Sequence, residues 1–318
     1  MTGERNGHVP ALLGKNHGPV VYVQSEHYRL AQFDRVRKEI GAGETFDATA
    51  LFEQWAKSRF RHPRAFAKAL KRVAHFDATV FVLDGAEGWF NAHLLRAIRS
   101  ERPGAIVIGV QHGLMEHKGL ARRRFRSLIA DVLWRLGVPV LGAGFGGSNF
   151  DCLFVLTDSD ARYVRRLFPS TLAVVRPDLL LGLTERQLGG TMFDVVFVDQ
   201  LIARRDLDFV ASVLASLAKS GFRTAFKPHP KDTETHDETR FGETAVLRHD
   251  VPLWEQVSTA TGVVASYFST ALFEADHYGI ATVALRIPWV DPAKYGPFSN
   301  SVRPADFETA VREQLHTP

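Results

Sequence analysis

Short, unbroken apolar runs recur along the chain, and most of them stop at a small cluster of polar residues. Residues 20–23 are Val-Val-Tyr-Val and end at Gln24-Ser25-Glu26, residues 79–83 end at Asp84-Gly85, and residues 105–110 end at Gln111-His112-Gly113. Residues 153–156 end at Thr157-Asp158. Between them lie stretches with helical spacing: 45–73, interrupted near His62-Pro63, then 87–99 and 160–167. Runs of this length without alternation predict strands covered on both faces, and strand–helix alternation predicts a parallel α/β sheet.

The pattern then restarts. Residues 195–198 end at Asp199-Gln200, and 207–220 have helical spacing with Gly221 placed to end the helix. Residues 224–226 lead into Lys227-Pro228-His229-Pro230, 262–265 lead into Ser266-Tyr267-Phe268-Ser269-Thr270, and a helix runs on through Glu274. A late strand at 281–285 and a closing helix at 307–315 complete the second series. The stretch 176–191, with Pro177, Gly182, Gly189 and Gly190, reads as the linker. The expectation is α/β: two doubly wound domains facing a central cleft, residues 1–180 and 181–318, with the final helix packing back on the first.

Composition adds bounds. The chain has 318 residues, 45% hydrophobic and 23% charged, as in ordinary globular domains. A net charge of +4 suits an anionic small molecule or an acidic membrane surface and does not call for nucleic acid. The lone Cys152 leaves no internal disulfide and no thiolate metal cluster, which fits a reducing cytosol. No apolar run approaches the roughly 20 residues of a membrane helix, so the expected location is cytoplasmic. The basic stretch 121–135, containing Arg122-Arg123-Arg124, Arg126 and Trp134-Arg135, is a solvated helix face, a peripheral contact with the inner face of the membrane or a contact with an anionic acceptor.

Open α/β sheets bind ligands beyond the carboxyl ends of their strands, so the polar residues there carry the candidate chemistry. In Lys227-Pro228-His229-Pro230 the prolines stiffen the backbone around an imidazole, which suits phosphate binding or leaving-group protonation, or simply a rigid turn. Ser269 and Thr270 open a helix, where hydroxyls and free N–H groups either receive an anion or form an ordinary cap. Asp84, with Gly85 beside it, can be a general base or cap the helix that follows, and Glu87 is its nearest competitor. His112 can orient an acceptor hydroxyl, assist Asp84 or simply hydrogen-bond backbone, and Gln111 stands beside it at the same strand end. Gly142, Gly144, Gly146 and Gly147 precede a strand, not a helix, so they lack the dinucleotide fingerprint and read as a loop rimming the cleft. No metal-ligand spacing is present, so neither a metal nor another cofactor is expected.

The pairing of Lys227-Pro228-His229-Pro230 with Ser269-Thr270 resembles the donor half of bacterial GT-B glycosyltransferases that use cytidine-activated sugars. Sialyltransferases, polysialyltransferases and some Kdo transferases carry such His-Pro and Ser/Thr motifs. Their N-terminal domain also carries two acidic residues and a glycine that supply the base. That motif falls here on Leu83-Asp84-Gly85, with Leu83 in the first acidic position. Gln111-His112-Gly113 and Thr157-Asp158-Ser159 are similar to stretches of surface-polysaccharide transferases.

The resemblance implies two Rossmann-like domains and an inverting, metal-independent sugar transfer from a CMP-linked donor, sialic acid- or Kdo-like, to a glycan or glycolipid hydroxyl. Lys227, Pro228, His229, Pro230, Ser269, Thr270 and Glu274 would bind the donor. Gly85, Glu87 and Gln111 would meet the acceptor, and Asp84, His229 and His112 would act in catalysis. CDP-glycerol glycerophosphotransferases share a similar arrangement. A UDP-sugar hydrolase or epimerase-like enzyme and a non-catalytic nucleotide-binding module remain the other readings.

Overall fold

The computed structural model describes residues 18–25, 30–58, 68–85, 89–111, 150–181, 190–200, 206–230, 238–290 and 300–316, with single residues 115, 125, 128, 129, 132, 232, 295 and 298. His112, Glu87, residues 142–147 and all of 121–135 except Phe125, Leu128, Ile129 and Val132 lie outside them. The chain forms two units, Met1–Gly182 and Leu183–Pro318.

The first unit runs β1 (Val20–Gln24), α1 (Leu30–Ile40), β2 (Glu44–Asp47), α2 (Thr49–Ser58), a 3-10 turn at Arg72–His75, β3 (Val80–Leu83) and α3 (Trp89–Glu101). It continues with β4 (Ile106–Val110), β5 (Cys152–Val155), α4 (Asp158–Leu167), β6 (Leu172–Val175) and α5 (Pro177–Leu180). All six strands are parallel, in the order β2-β1-β3-β4-β5-β6. Each apolar run is divided between two cores. Val21 and Val23 of β1 enter one, with Phe81, Leu83 and Leu153, while Val20 and Tyr22 enter the other, with Val80, Val82 and Phe154. A strand covered on both faces has no polar side to show, which is why these segments read as continuous apolar runs.

Two expectations change here. The helical spacing from residue 45 begins one turn early: 44–47 is the edge strand β2, mostly exposed, with Phe46 packed edge-on against Phe76 at 5.6 Å. Asp47 ends that strand, and its Oδ1 accepts from the Thr49 N–H at 2.9 Å as α2 begins. Within the stretch read as linker, Pro177–Leu180 folds as α5, with Pro177 in its first turn. Arg176 pairs with Glu39 and Asp178 at 2.6 and 2.8 Å, and Leu179 enters the core.

The second unit runs β7 (Val195–Val198), α6 (Leu207–Lys219), β8 (Thr224–Lys227), β9 (Ala245–Val246), α7 (Leu253–Gln256) and β10 (Val263–Ser266). Then follow α8 (Thr270–His277), β11 (Ala281–Leu285), β12 (Ser301–Val302) and α9 (Phe307–His316). Its parallel sheet has the order β12-β11-β10-β7-β8-β9. Gly221 ends α6 at φ 90°, a conformation glycine adopts without strain. The closing helix α9 packs on β10 and β11 of its own sheet, with buried Phe307 edge-on to Phe197 at 6.0 Å.

Candidate functional site

Strand order singles out one position in each sheet. In the second, the chain builds outward from β7 through β8 to β9, then returns to the other side of β7 for β10, β11 and β12. The switch point lies between β7 and β10, and that is where an open α/β sheet leaves a crevice for a ligand. Asp199 ends β7, the Lys-Pro-His-Pro turn ends β8, and the Ser-Thr turn ends β10. The two motifs therefore flank β7, about 10 Å apart across two strand spacings.

The β10–α8 turn is held from below. Ser266 is fully buried and its hydroxyl donates to the Val198 carbonyl at 2.6 Å. Tyr267 is fully buried, edge-on to Phe197 at 5.2 Å, and Phe268 packs on Tyr295 at 5.8 Å. Burial, assisted by Asp199, Asp206 and Tyr295, raises the Tyr267 phenol far above its ordinary pKa, so it remains neutral. Ser269 then caps α8, its Oγ accepting from the Ala271 N–H at 3.2 Å, and Ser269 and Thr270 are both half-buried. This helix start combines two hydroxyls with the positive end of the helix, a combination that attracts an anion.

At β8, Pro228 is buried, His229 half-buried and Pro230 exposed. The His229 carbonyl accepts from the Asp232 N–H at 2.8 Å, which closes the turn. Lys227 is 3% exposed, and its ammonium donates to the carbonyls of Pro228 at 3.2 Å and His249 at 3.0 Å. Burial pulls its pKa down to about 8 against a smaller opposing pull from Asp250. The ammonium thus ties the turn to the His249 segment. The carboxylate of Glu274, one turn into α8, accepts from the Trp254 indole N–H at 2.7 Å.

The first sheet has its own switch point, between β1 and β3. Asp84 stands there with no exposure, and Gly85 is buried beside it. One Asp84 oxygen accepts from the Ser25 N–H at 2.6 Å and the other from the Ser25 hydroxyl at 2.7 Å. The carboxylate therefore holds the end of the neighbouring strand. Gln111 is 2% exposed; its oxygen accepts from the Leu156 N–H at 2.8 Å and its amide donates to Asp160 at 3.3 Å, bracing the start of α4.

Two residues join the candidates although no local motif marks them: Ser25, through Asp84, and Asp199, at the end of the central strand β7. Asp199 is 1% exposed and its N–H donates to the Lys227 carbonyl at 2.9 Å. Each is a polar residue ending an apolar run, and only the strand order gives it a place beside the others. Among the described residues, no group of three or more His, Cys, Asp or Glu side chains is arranged to hold a metal ion.

No protein-family model and no curated protein matches the chain. Solved structures do. The glycotransferase of kitacinnamycin is similar with a TM-score of 0.59 at 14% identity, over 94% of this chain and 90% of that one. The α/β-galactoside α-2,3-sialyltransferase of the luminous marine bacterium Photobacterium phosphoreum gives 0.56 at 9% identity, over 92% and 100%. S. aureus MnaA in its co-structure with UDP gives 0.53 at 9%, over 94% and 87%. At these identities the likeness is one of fold, and the two parallel six-stranded α/β units have the fold class of GT-B glycosyltransferases.

Proposed function

We propose that this chain is an inverting, metal-independent glycosyltransferase that takes a sialic acid- or Kdo-like sugar from a CMP-linked donor and places it on a hydroxyl of a glycan or glycolipid. One observation carries the reading: the proline-held His229 and the Ser269-capped start of α8 flank the switch-point strand of the second sheet. The donor phosphate, which is the leaving group, is received at that edge. Charge grows on it as the glycosidic bond breaks, so donors fixed there bind the transition state more tightly than the ground state. His229 donates to the phosphate, Ser269 and Thr270 receive it at the helix end, and Lys227 holds the turn that presents the imidazole. In the first unit Asp84 is the proposed proton acceptor for the attacking hydroxyl, with Ser25 fixing its orientation.

The test is a thermal-shift screen against CMP, CDP, UDP, GDP and ADP, followed by a transfer assay with and without EDTA. A ligand at a hundredfold excess over its dissociation constant stabilises by about 2.7 kcal/mol. CMP is expected to give the largest shift, His229→Ala to remove it, and EDTA to leave transfer intact. The UDP in the MnaA co-structure supports a uridine donor as the second reading. A UDP shift without a CMP shift would overturn the cytidine assignment, and activity lost in EDTA and restored by magnesium would overturn the metal-free mechanism.

A further inference from the structure

Where α8 packs on β11, the second unit holds a pocket of about 100 Å³ whose lining residues are all among the described ones. Phe273 and Asp276 are three apart in α8 and share one face of the helix, and Thr282 and Ala284 are two apart in β11 and share one face of the sheet. Leu272 and Ala284 belong to the core, so the pocket is apolar at its base. Phe298 adds a second ring, its centroid 5.1 Å from that of Phe273 and its plane tilted by 37°. The Asn300 amide donates to the Thr282 carbonyl at 3.3 Å and braces the rim. Asp276 is exposed there, and among the described residues no hydrogen bond or ion pair engages its carboxylate. None of the lining residues is basic.

We propose that this pocket binds a small methylated ammonium ion, with the size and chemistry of a choline head. Asp276 supplies a full negative charge in the last turn of α8, where the negative end of the helix disfavours a carboxylate and favours a cation. The two phenyl rings add the negative potential of their faces, which attracts a cation within about 6 Å of a ring centroid. An anion would meet the carboxylate with no basic group to offset it. A neutral apolar group would strip water from the carboxylate and return nothing. A hard metal ion takes about six or more oxygen ligands, and these walls are mostly carbon. A primary ammonium is strongly hydrated and needs acceptors for all its N–H groups, whereas a methylated one presents carbon to the apolar base. Size agrees: an apolar cavity of about 150 Å³ holds a benzene ring, so about 100 Å³ takes a head of roughly four or five heavy atoms. The inference goes beyond sugar transfer and does not depend on it, because binding is read without turnover.

The experiment is isothermal titration calorimetry of the full chain with choline, tetramethylammonium, ethanolamine and the tert-butyl alcohol in which carbon replaces the nitrogen of choline. Both methylated cations should bind at one site with a dissociation constant of about a millimolar, and the uncharged isostere about tenfold more weakly. Ethanolamine should also bind more weakly than choline. Asp276→Asn should lower the affinity for choline about two- to fivefold, the range of an exposed ion pair. Phe298→Leu should lower it by a similar factor through the lost ring. Asp276→Asn keeps the shape of the pocket and removes an acid from a helix end, so it should melt no lower than wild type and its lost affinity is not a loss of fold. Four results would each overturn the proposal: no saturable binding of either methylated cation, an isostere that binds as tightly as choline, a preference for ethanolamine, or wild-type affinity in either variant.

Discussion

Removing the Ser25 hydroxyl tests what Asp84 does. The carboxylate is fully buried and takes one bond from the Ser25 N–H and another from its hydroxyl. Ser25→Ala deletes the second bond and keeps the first, at a buried position, 2% exposed, where bulk water does not replace it. A hydrogen bond to a charged group contributes roughly 1.5–3 kcal/mol. In a unit of this size each kcal/mol moves the melting temperature by about 2–4 °C, so the first unit should melt about 3–12 °C lower. Asp84→Asn turns one accepting oxygen into a donor that faces another donor, and should cost at least as much. Because the two side chains touch, the double variant should lose less than the sum of the singles, with a coupling of about 0.5–3 kcal/mol.

Calorimetry on the full chain, with the transitions of the two units followed separately, reads all three numbers. A shift below about 1 °C for Ser25→Ala, or strict additivity in the double variant, would refute the pairing. The same variants separate a base from a brace. Ser25→Ala keeps the carboxylate charge, whereas Asp84→Asn removes it. A general base contributes typically 10²–10⁴-fold, so Asp84→Asn should lose transfer by that order while Ser25→Ala loses far less and nucleotide binding holds in both. Equal losses in the two variants would make Asp84 a structural brace and return the base to Glu87 or His112.

Two further predictions come from buried basic groups. His93 is 3% exposed on α3, and burial together with Arg96 lowers its pKa from 6.5 to about 4. The unfolded chain takes up that proton first, so stability is full above pH 6.5 and falls as the pH drops toward 4, by about 3 kcal/mol in all; melting temperature against pH should flatten over this range in His93→Gln. Lys227, lowered from 10.5 to about 8, gives the same sign in a higher window: the folded protein releases its proton first, and stability rises between pH 8 and 10.5. Lys227→Met should abolish that rise and, at pH 7, match or exceed wild-type stability, because holding the buried ammonium costs about 3 kcal/mol and its two bonds to carbonyls offset only part of this. A Lys227→Met variant that melts well below wild type at pH 7 would show that those two carbonyl bonds outweigh the desolvation.

What could be read from the sequence divides along a physical line. The strands β1, β3, β4, β5, β7, β8, β10 and β11 were legible because each is enclosed on both faces or nearly so, which enforces an unbroken apolar run. Three edge strands lack that signature, since β2 is mostly exposed and β9 and β12 are two residues long, while the fourth, β6, is an apolar Leu-Ala-Val-Val run that the sequence reading passed over. The same division holds for the site. His229 and Ser269 were visible because prolines and a helix start mark them within a few residues. Ser25 was not, since its partner lies 59 positions away and meets it only because β3 pairs with β1. Asp199 was not, since a polar residue ending a strand becomes central only when its strand is inserted between the two that carry the motifs. Nor could the sequence aim the Lys227 ammonium, whose acceptor at His249 is 22 positions on. Local sequence therefore placed polar residues at strand ends, and the order of strands decided which of them became neighbours. A variant series confined to Lys227, His229, Ser269 and Thr270 would probe the legible half of the site alone; Asp199→Asn and Ser25→Ala carry the test into the half that only the topology assembles.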